Sequence, residues 1–312
     1  MRSARQEIVT RIIDSGSRLA GEPVSDVLEN LSGLANDLRQ AGVKAGNVVV
    51  LEDLQSRDLL AAILLVWQFD AIPMLCQKRP DLPLTNTSFF IDRNFVAHAP
   101  EIDAPVHGLE TTALLHVSSG TTDKPKIVKR GVASVLAEAV AYRVRLPMTP
   151  QDHVIVPIPV VHSYGSGFAL SALINGCRLD PEPVVRVSRL ARKIDTGTSA
   201  VLALTAPLAR LLADTDGTGT TGLRVAMVGA GQVSAGLAEA FAARFGVSLA
   251  RNYGSSETGA IFMGEQGMGE PIPGIEIVHP ARGEVGELQI RSAAPSKAMW
   301  ETRNPGTSVV YR

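Results

Sequence analysis

The chain has 312 residues, 45% hydrophobic and 20% charged, as in a soluble globular protein with room for one large or two medium domains. Thirty basic residues against 31 acidic ones leave a net charge of -1, with no charge block at either end, which argues against a nucleic-acid partner. There is no signal-peptide pattern and no apolar run long enough to span a bilayer, and Cys76 and Cys177 show no metal-ligand spacing, so a cytoplasmic protein with two reduced core thiols is expected.

Val27, Leu28, Leu31, Leu34, Ala35 and Leu38 recur at helical spacing, and Gly42 suits the residue just past a helix end. A short buried strand is predicted at Val48–Leu51, a helix at Leu59–Phe69 and a strand at Ala71–Leu75. Residues 79–110 are rich in Pro, Asp, Asn and Thr and read as loop, with a strand near Phe89–Ile91. From Ala113 onward strands and helices alternate. Strands are predicted at Ala113–Val117, Val154–Ile158, Ala200–Leu204, Leu223–Val228 and Val247–Ala250. Helices are predicted at Ala133–Arg145, Gly167–Asn175, Ser188–Ile194, Pro207–Ala213 and Ala235–Phe245. Such alternation implies an α/β fold with parallel sheets covered on both faces. Asp216–Gly222 is low-complexity and reads as a surface loop. Past Glu257, Gly and Pro become frequent and Glu276–Val278 and Glu287–Ile290 suit short strands. The expected division is therefore a layered body over 1–260 and a small β element over 261–312.

Ser118-Ser119-Gly120-Thr121-Thr122-Asp123-Lys124-Pro125-Lys126 follows a predicted strand directly. Its hydroxyls, its glycine and its two lysines suit a polyphosphate, because Gly120 lets successive amide N–H groups converge on an anion. The run lacks the Gly-x4-Gly-Lys-Ser/Thr pattern of the common P-loop. It resembles the phosphate loop of the adenylate-forming superfamily, which includes acyl-CoA synthetases, firefly luciferase and the adenylation domains of peptide synthetases. The usual form has glycine where this chain has Asp123 and Ile127.

Further segments resemble that family in the same order. His162, within Pro157–Gly165, corresponds to the acyl-pocket motif, with Tyr164 beside it. Gly229-Ala230-Gly231 corresponds to the loop bordering the adenine and the acyl group. In Asn252-Tyr253-Gly254-Ser255-Ser256-Glu257-Thr258-Gly259 the resemblance implies that Tyr253 stacks on adenine, that Thr258 lies near the α-phosphate and that Glu257 binds Mg²⁺, a metal that prefers hard oxygens shared with phosphates. Gly254 and Gly259 join Gly229, His162 and Tyr164 in the expected acyl pocket, and Ser255 and Ser256 join the nucleotide set. Gly286–Arg291 matches an architectural strand.

The resemblance implies the large N-terminal domain of an adenylate-forming enzyme: two parallel-rich sheets layered with helices, αβαβα, plus the start of a small β-barrel. The family's ribose-binding aspartate and C-terminal lid, with its catalytic lysine, are not matched, so a truncation with little or no adenylation activity is expected. The implied reaction is Mg-ATP-dependent activation of a small carboxylic acid to an acyl-adenylate, then transfer to the thiol of CoA or of a carrier protein's phosphopantetheine. Thr122, Lys126 and Glu257 are the expected catalytic residues. Val161-His162-Ser163 stands where amino-acid-activating relatives have Phe-Asp, which points to an aliphatic or aromatic acid without an α-amino group. Two other readings compete. One is a nicotinamide-dependent oxidoreductase using Gly229-Ala230-Gly231, which lacks the third glycine of that fingerprint; the other is a non-catalytic binding protein on the same fold.

Overall fold

A computed structural model describes residues 2–80, 88–100, 107–118, 126–182, 186–217, 222–281, 284–292 and 297–300, with the backbone alone at 118 and 297–300. Ser119, Gly120, Thr121, Thr122 and Lys124 of the expected phosphate loop lie outside these residues.

Helix α1 (Ala4–Asp14) opens on a capping box, in which Ser3 and Gln6 each accept the other's backbone N–H. Strands β1 (Arg18–Leu19) and β2 (Glu22–Pro23) follow. The single helix expected through Val27–Leu38 is two, α2 (Val24–Asn30) and α3 (Ser32–Ala41), parted at Leu31 where φ is -91° and ψ 13°. Asn30, Ser32 and Gly33 are poor helix formers, so the apolar stripe continues while the backbone ladder breaks. Gly42 caps α3 at φ 92°, a left-handed conformation that a side chain would oppose.

Next come β3 (Val48–Glu52), α4 (Ser56–Gln68), β4 (Ile72–Cys76), β5 (Phe89–Ile91) and β6 (Ala97–His98). They are followed by β7 (Thr112–Ser118), β8 (Lys126–Gly131), α5 (Val132–Arg145), β9 (His153–Ile155) and α6 (Ser163–Ile174). The chain continues through β10 (Arg178–Asp180), α7 (Val187–Thr196), β11 (Ala200–Leu204), α8 (Ala206–Ala213), β12 (Leu223–Gly229) and α9 (Ala235–Phe245). The last elements are β13 (Leu249–Ser255), β14 (Gly259–Gly264), β15 (Glu270–Pro271), β16 (Ile275–His279), β17 (Gln289–Ser292) and β18 (Lys297–Trp300).

The strands make a nine-stranded sheet in the order β15-β14-β13-β12-β11-β9-β10-β1-β2 and a seven-stranded sheet in the order β18-β8-β7-β4-β3-β5-β6. Both are parallel at the centre and antiparallel at their edges. Helices α4 and α6 are buried almost all round, as befits a layer with protein on every side. Trp67 of α4 donates its indole N–H to Ala113 of β7 at 2.7 Å, tying that layer to the seven-stranded sheet. The layered α/β architecture is the expected one. The boundary expected between 260 and 261 falls inside β14, which belongs to the nine-stranded sheet; the separate small sheet is the β16–β17 pair.

Candidate active site

The site is built where β12, β13 and β14 end beside the start of α6. Strand β12 finishes at Gly229, and Ala230 then takes a left-handed φ of 55°, a strained conformation for a residue with a Cβ. Gly229 is glycine for a local reason: a Cβ there would lie 2.7 Å from the ring of Tyr164. Tyr164 is pinned over the strand end because its hydroxyl donates to the Met227 carbonyl at 2.9 Å, and burial raises its pKa.

Strands β13 and β14 form a hairpin with Ser256, Glu257 and Thr258 at its tip. Two hydroxyls lock this turn. Thr258 Oγ1 lies 3.1 Å from Ser255 Oγ and accepts the Ser255 N–H at 3.0 Å, while the Thr258 N–H donates to Ser255 Oγ at 3.2 Å. Gly254 is required here as well, since a Cβ would meet the Gly259 carbonyl at 2.0 Å. The half-exposed Glu257 carboxylate makes no ion pair among the described residues. Tyr253 shows 46% of its surface, an unusual exposure for an aromatic ring unless something covers it.

Two cavities are lined in part by this hairpin. One, of about 220 Å³, is lined by residues that include Ser163, Tyr164, Ser255, Ser256, Gly259 and Glu138. The other, of about 770 Å³, runs along Ala230–Ser234 and Arg251–Gly254. Ala230, Asn252 and Gly254 belong to both walls, so the two chambers share a partition. Strand β13 supplies it: Asn252 donates Nδ2 to the Tyr142 hydroxyl at 3.0 Å, and its Oδ1 is buried without a partner.

Most of the described residues singled out in the sequence gather here: Tyr164, Gly229, Ala230, Gly231 and Tyr253 through Gly259. Two are placed differently. His162 is exposed and is the residue before α6, and the cavity is lined instead by its neighbours Ser163 and Tyr164. Lys126 opens β8 directly across the ladder from Ser118, so the phosphate-loop segment joins two antiparallel strands. Strand β8 was not foreseen. Four wall residues of the smaller cavity were also missed: Ser163, Asn252, Ala260 and Glu138. Glu138 had a signal. It occupies the buried stripe Val135, Glu138, Ala139, Tyr142 of α5, where a lone carboxylate needs a partner.

The family model described as AMP-binding enzyme matches residues 77–300, more than two thirds of the chain. The chain belongs to the AMP-binding enzyme family. Among relatives of this AMP-binding enzyme is the 2-succinylbenzoate–CoA ligase of Listeria monocytogenes serotype 4b (strain F2365), 23% identical over 275 residues, which are 80% of this chain and 58% of that protein. The chain thus spans less than two thirds of that relative's length. The fold matches a benzoate CoA ligase from Burkholderia xenovorans LB400 at a TM-score of 0.77, with 16% identity over 98% of this chain and 74% of the other. It also matches the O-succinylbenzoate coenzyme A synthetase of Bacillus subtilis in complex with AMP, at a TM-score of 0.71 and 18% identity over 88% of this chain and 81% of the other.

Proposed function

We propose that this chain supplies the nucleotide and acid sites for activating a carboxylic acid with ATP, a reaction that forms an acyl-adenylate whose acyl group then passes to the thiol of CoA or of a carrier protein. The observation that carries this reading is the shared wall: two chambers both lined by Ala230, Asn252 and Gly254, one beside an exposed tyrosine and one between the start of α6 and the β13–β14 hairpin. An adenosine in the first and an acid in the second would bring the carboxylate to the α-phosphate at the shared wall. A carboxylate oxygen attacks the α-phosphorus and pyrophosphate leaves; a thiolate then attacks the acyl carbon and AMP leaves.

Each residue has a defined task. Tyr253 offers a ring face for the base. Gly229, Ala230 and Gly231 bring bare backbone close to it. The Thr258 and Ser255 hydroxyls hold the hairpin tip in shape, so that groups beside the phosphates are positioned before ligand arrives. Lys126 supplies positive charge on the phosphate side. Mg²⁺ would supply charge neutralisation between phosphate oxygens, and the site fits it: Glu257 contributes one carboxylate, which suffices for a metal that takes most of its ligands from phosphate and water. Among the described residues no cluster of three or more metal-ligating side chains occurs, as expected for a site completed by its substrate. Ser118, Ser119, Gly120, Thr121, Thr122 and Lys124 remain the proposed phosphate loop. The acid is an aliphatic or aromatic one without an α-amino group, and the free, buried thiols Cys76 and Cys177 suit a cytoplasmic location.

The test is thermal stabilisation by ATP and by non-hydrolysable acyl-adenylate mimics, with Glu257→Ala and Lys126→Ala as controls. A mimic at a hundredfold its Kd stabilises by about 2.7 kcal/mol. Stabilisation by at least one mimic, and a Mg²⁺-dependent response to ATP that disappears in Glu257→Ala, support the reading. No response to any of these ligands overturns it in favour of a non-catalytic protein on the same fold.

A further inference from the structure

Glu138 lines the cavity proposed above for the acid. It lies on α5 with its side chain 6% exposed, and its Oε2 accepts Arg130 Nη2 at 2.8 Å. Arg130, 3% exposed, also donates Nε to Ser134 at 3.2 Å. The pair is seated on two glycines. A Cβ at Gly167 of α6 would lie 2.8 Å from a Glu138 oxygen, and one at Gly259 of β14 would lie 2.9 Å from the Arg130 guanidinium. Two elements, α6 and β14, therefore make room for this ion pair. A buried pair contributes little stability over well-packed apolar residues, so its presence beside a cavity invites a role in recognition.

The polarity of the wall is directional. Glu138 lines the 220 Å³ cavity and also a narrower crevice, whereas Arg130 lines the crevice and not the cavity. A carboxylate accepts hydrogen bonds and donates none. Asn252, on the same wall, has one end of its amide bonded to Tyr142 and the other without a partner. Turning that amide over exchanges its two ends but leaves Glu138 an acceptor. The hydroxyls of Ser163 and Ser256 lie 3.1 Å apart, so one donates to the other and the second keeps its own O–H to donate elsewhere. A tail that brought a second carboxylate here would meet Glu138 as a like charge, whereas a hydroxyl would meet it as a donor. The cavity also exceeds the roughly 150 Å³ that accepts a benzene ring.

We propose that Glu138 is a specificity-determining residue, and that the acid activated is a ring-sized one carrying a hydroxyl, or a similar hydrogen-bond donor, on its tail. The inference rests on the acyl-adenylate reading above. Arg130 acts as a positioning residue that holds Glu138 as an acceptor.

The experiment compares the affinities of benzoyl, meta- and para-hydroxybenzoyl and para-carboxybenzoyl sulfamoyl adenosines for the 312-residue chain by calorimetry. One hydroxybenzoyl mimic is expected to bind about tenfold tighter than the benzoyl mimic, the gain of a hydrogen bond to a charged group, with the carboxybenzoyl mimic weakest. In Glu138→Gln the ratio of hydroxybenzoyl to benzoyl affinity falls. The double variant Arg130→Met/Glu138→Met, which removes the acceptor without leaving a buried guanidinium unpaired, brings it to about one. Benzoyl binding as tightly as both hydroxybenzoyl mimics, carboxybenzoyl binding tightest, or a preference that survives the double variant would overturn the proposal while leaving adenylate formation standing. If neither ATP nor any mimic binds, the underlying reading falls and takes this one with it.

Discussion

Tyr253 and Gly229 carry opposite kinds of information about the site. Tyr253 is an aromatic side chain left largely in solvent, which folding alone does not favour; Gly229 is a missing side chain, which packing demands. Replacing Tyr253 with Ala removes a stacking surface worth about 1–3 kcal/mol per base. The Kd for ATP should rise by roughly one to two orders of magnitude in calorimetry, while the unfolding midpoint of the ligand-free protein barely moves. Gly229→Ala should do the reverse at first sight. Its methyl group drives into the Tyr164 ring, which cannot retreat without leaving the Met227 carbonyl, so a stability loss of about 1–3 kcal/mol is expected in urea unfolding, together with weaker binding of acyl-adenylate mimics.

Among the elements, α1 is fastened to the seven-stranded sheet through Arg5. Arg5 is nearly buried, pairs with Asp70 at 2.6 Å after α4, and donates to the carbonyls of Asp70, Glu110 and Thr112. Arg5→Ala leaves Asp70 without its cation and several carbonyls without a donor, and a loss of about 3–5 kcal/mol is expected from chemical denaturation. None of this was legible in the sequence, because Arg5 precedes any apolar periodicity and its partners lie up to 107 residues away. The same limit explains β8 and β14. Strand β8 reads Lys-Ile-Val-Lys-Arg-Gly, a run more polar than apolar, and β14 follows a glycine-rich turn that looks like the end of a unit. Central strands such as Ala200–Leu204 were plain because burial on both faces writes an unbroken apolar run. The site was legible through its glycines, hydroxyls and Glu257, which cluster in sequence. Glu138 and Asn252 were not, since each looks ordinary until α5 and β13 are brought together.

For the molecule as a whole, two imidazoles oppose acid. Burial, with Arg130 adding, lowers His116 from 6.5 to about 3, and burial, with Arg178 and Lys193 adding, lowers His153 from 6.5 to about 4. The unfolded chain takes up both protons near pH 6.5, so between about 6.5 and 4 it binds more protons than the folded one. Stability is therefore complete above pH 6.5 and falls as pH drops through that window. Urea midpoints measured at intervals from neutrality down to this window should decline steadily for the native chain, and less steeply for His153→Asn.

The layered plan also separates two inheritances. The residues proposed for the nucleotide lie at the tip of the β13–β14 hairpin and in the loop after β12, whereas the Arg130–Glu138 pair comes from β8 and α5 and packs beside them at Gly259. On the proposed reading, preference for the acid can thus be altered from β8, α5 and α6 without replacing the residues at the hairpin tip. A library randomised at positions 130, 134, 138 and 167 is the natural place to breed new substrate preferences into this scaffold.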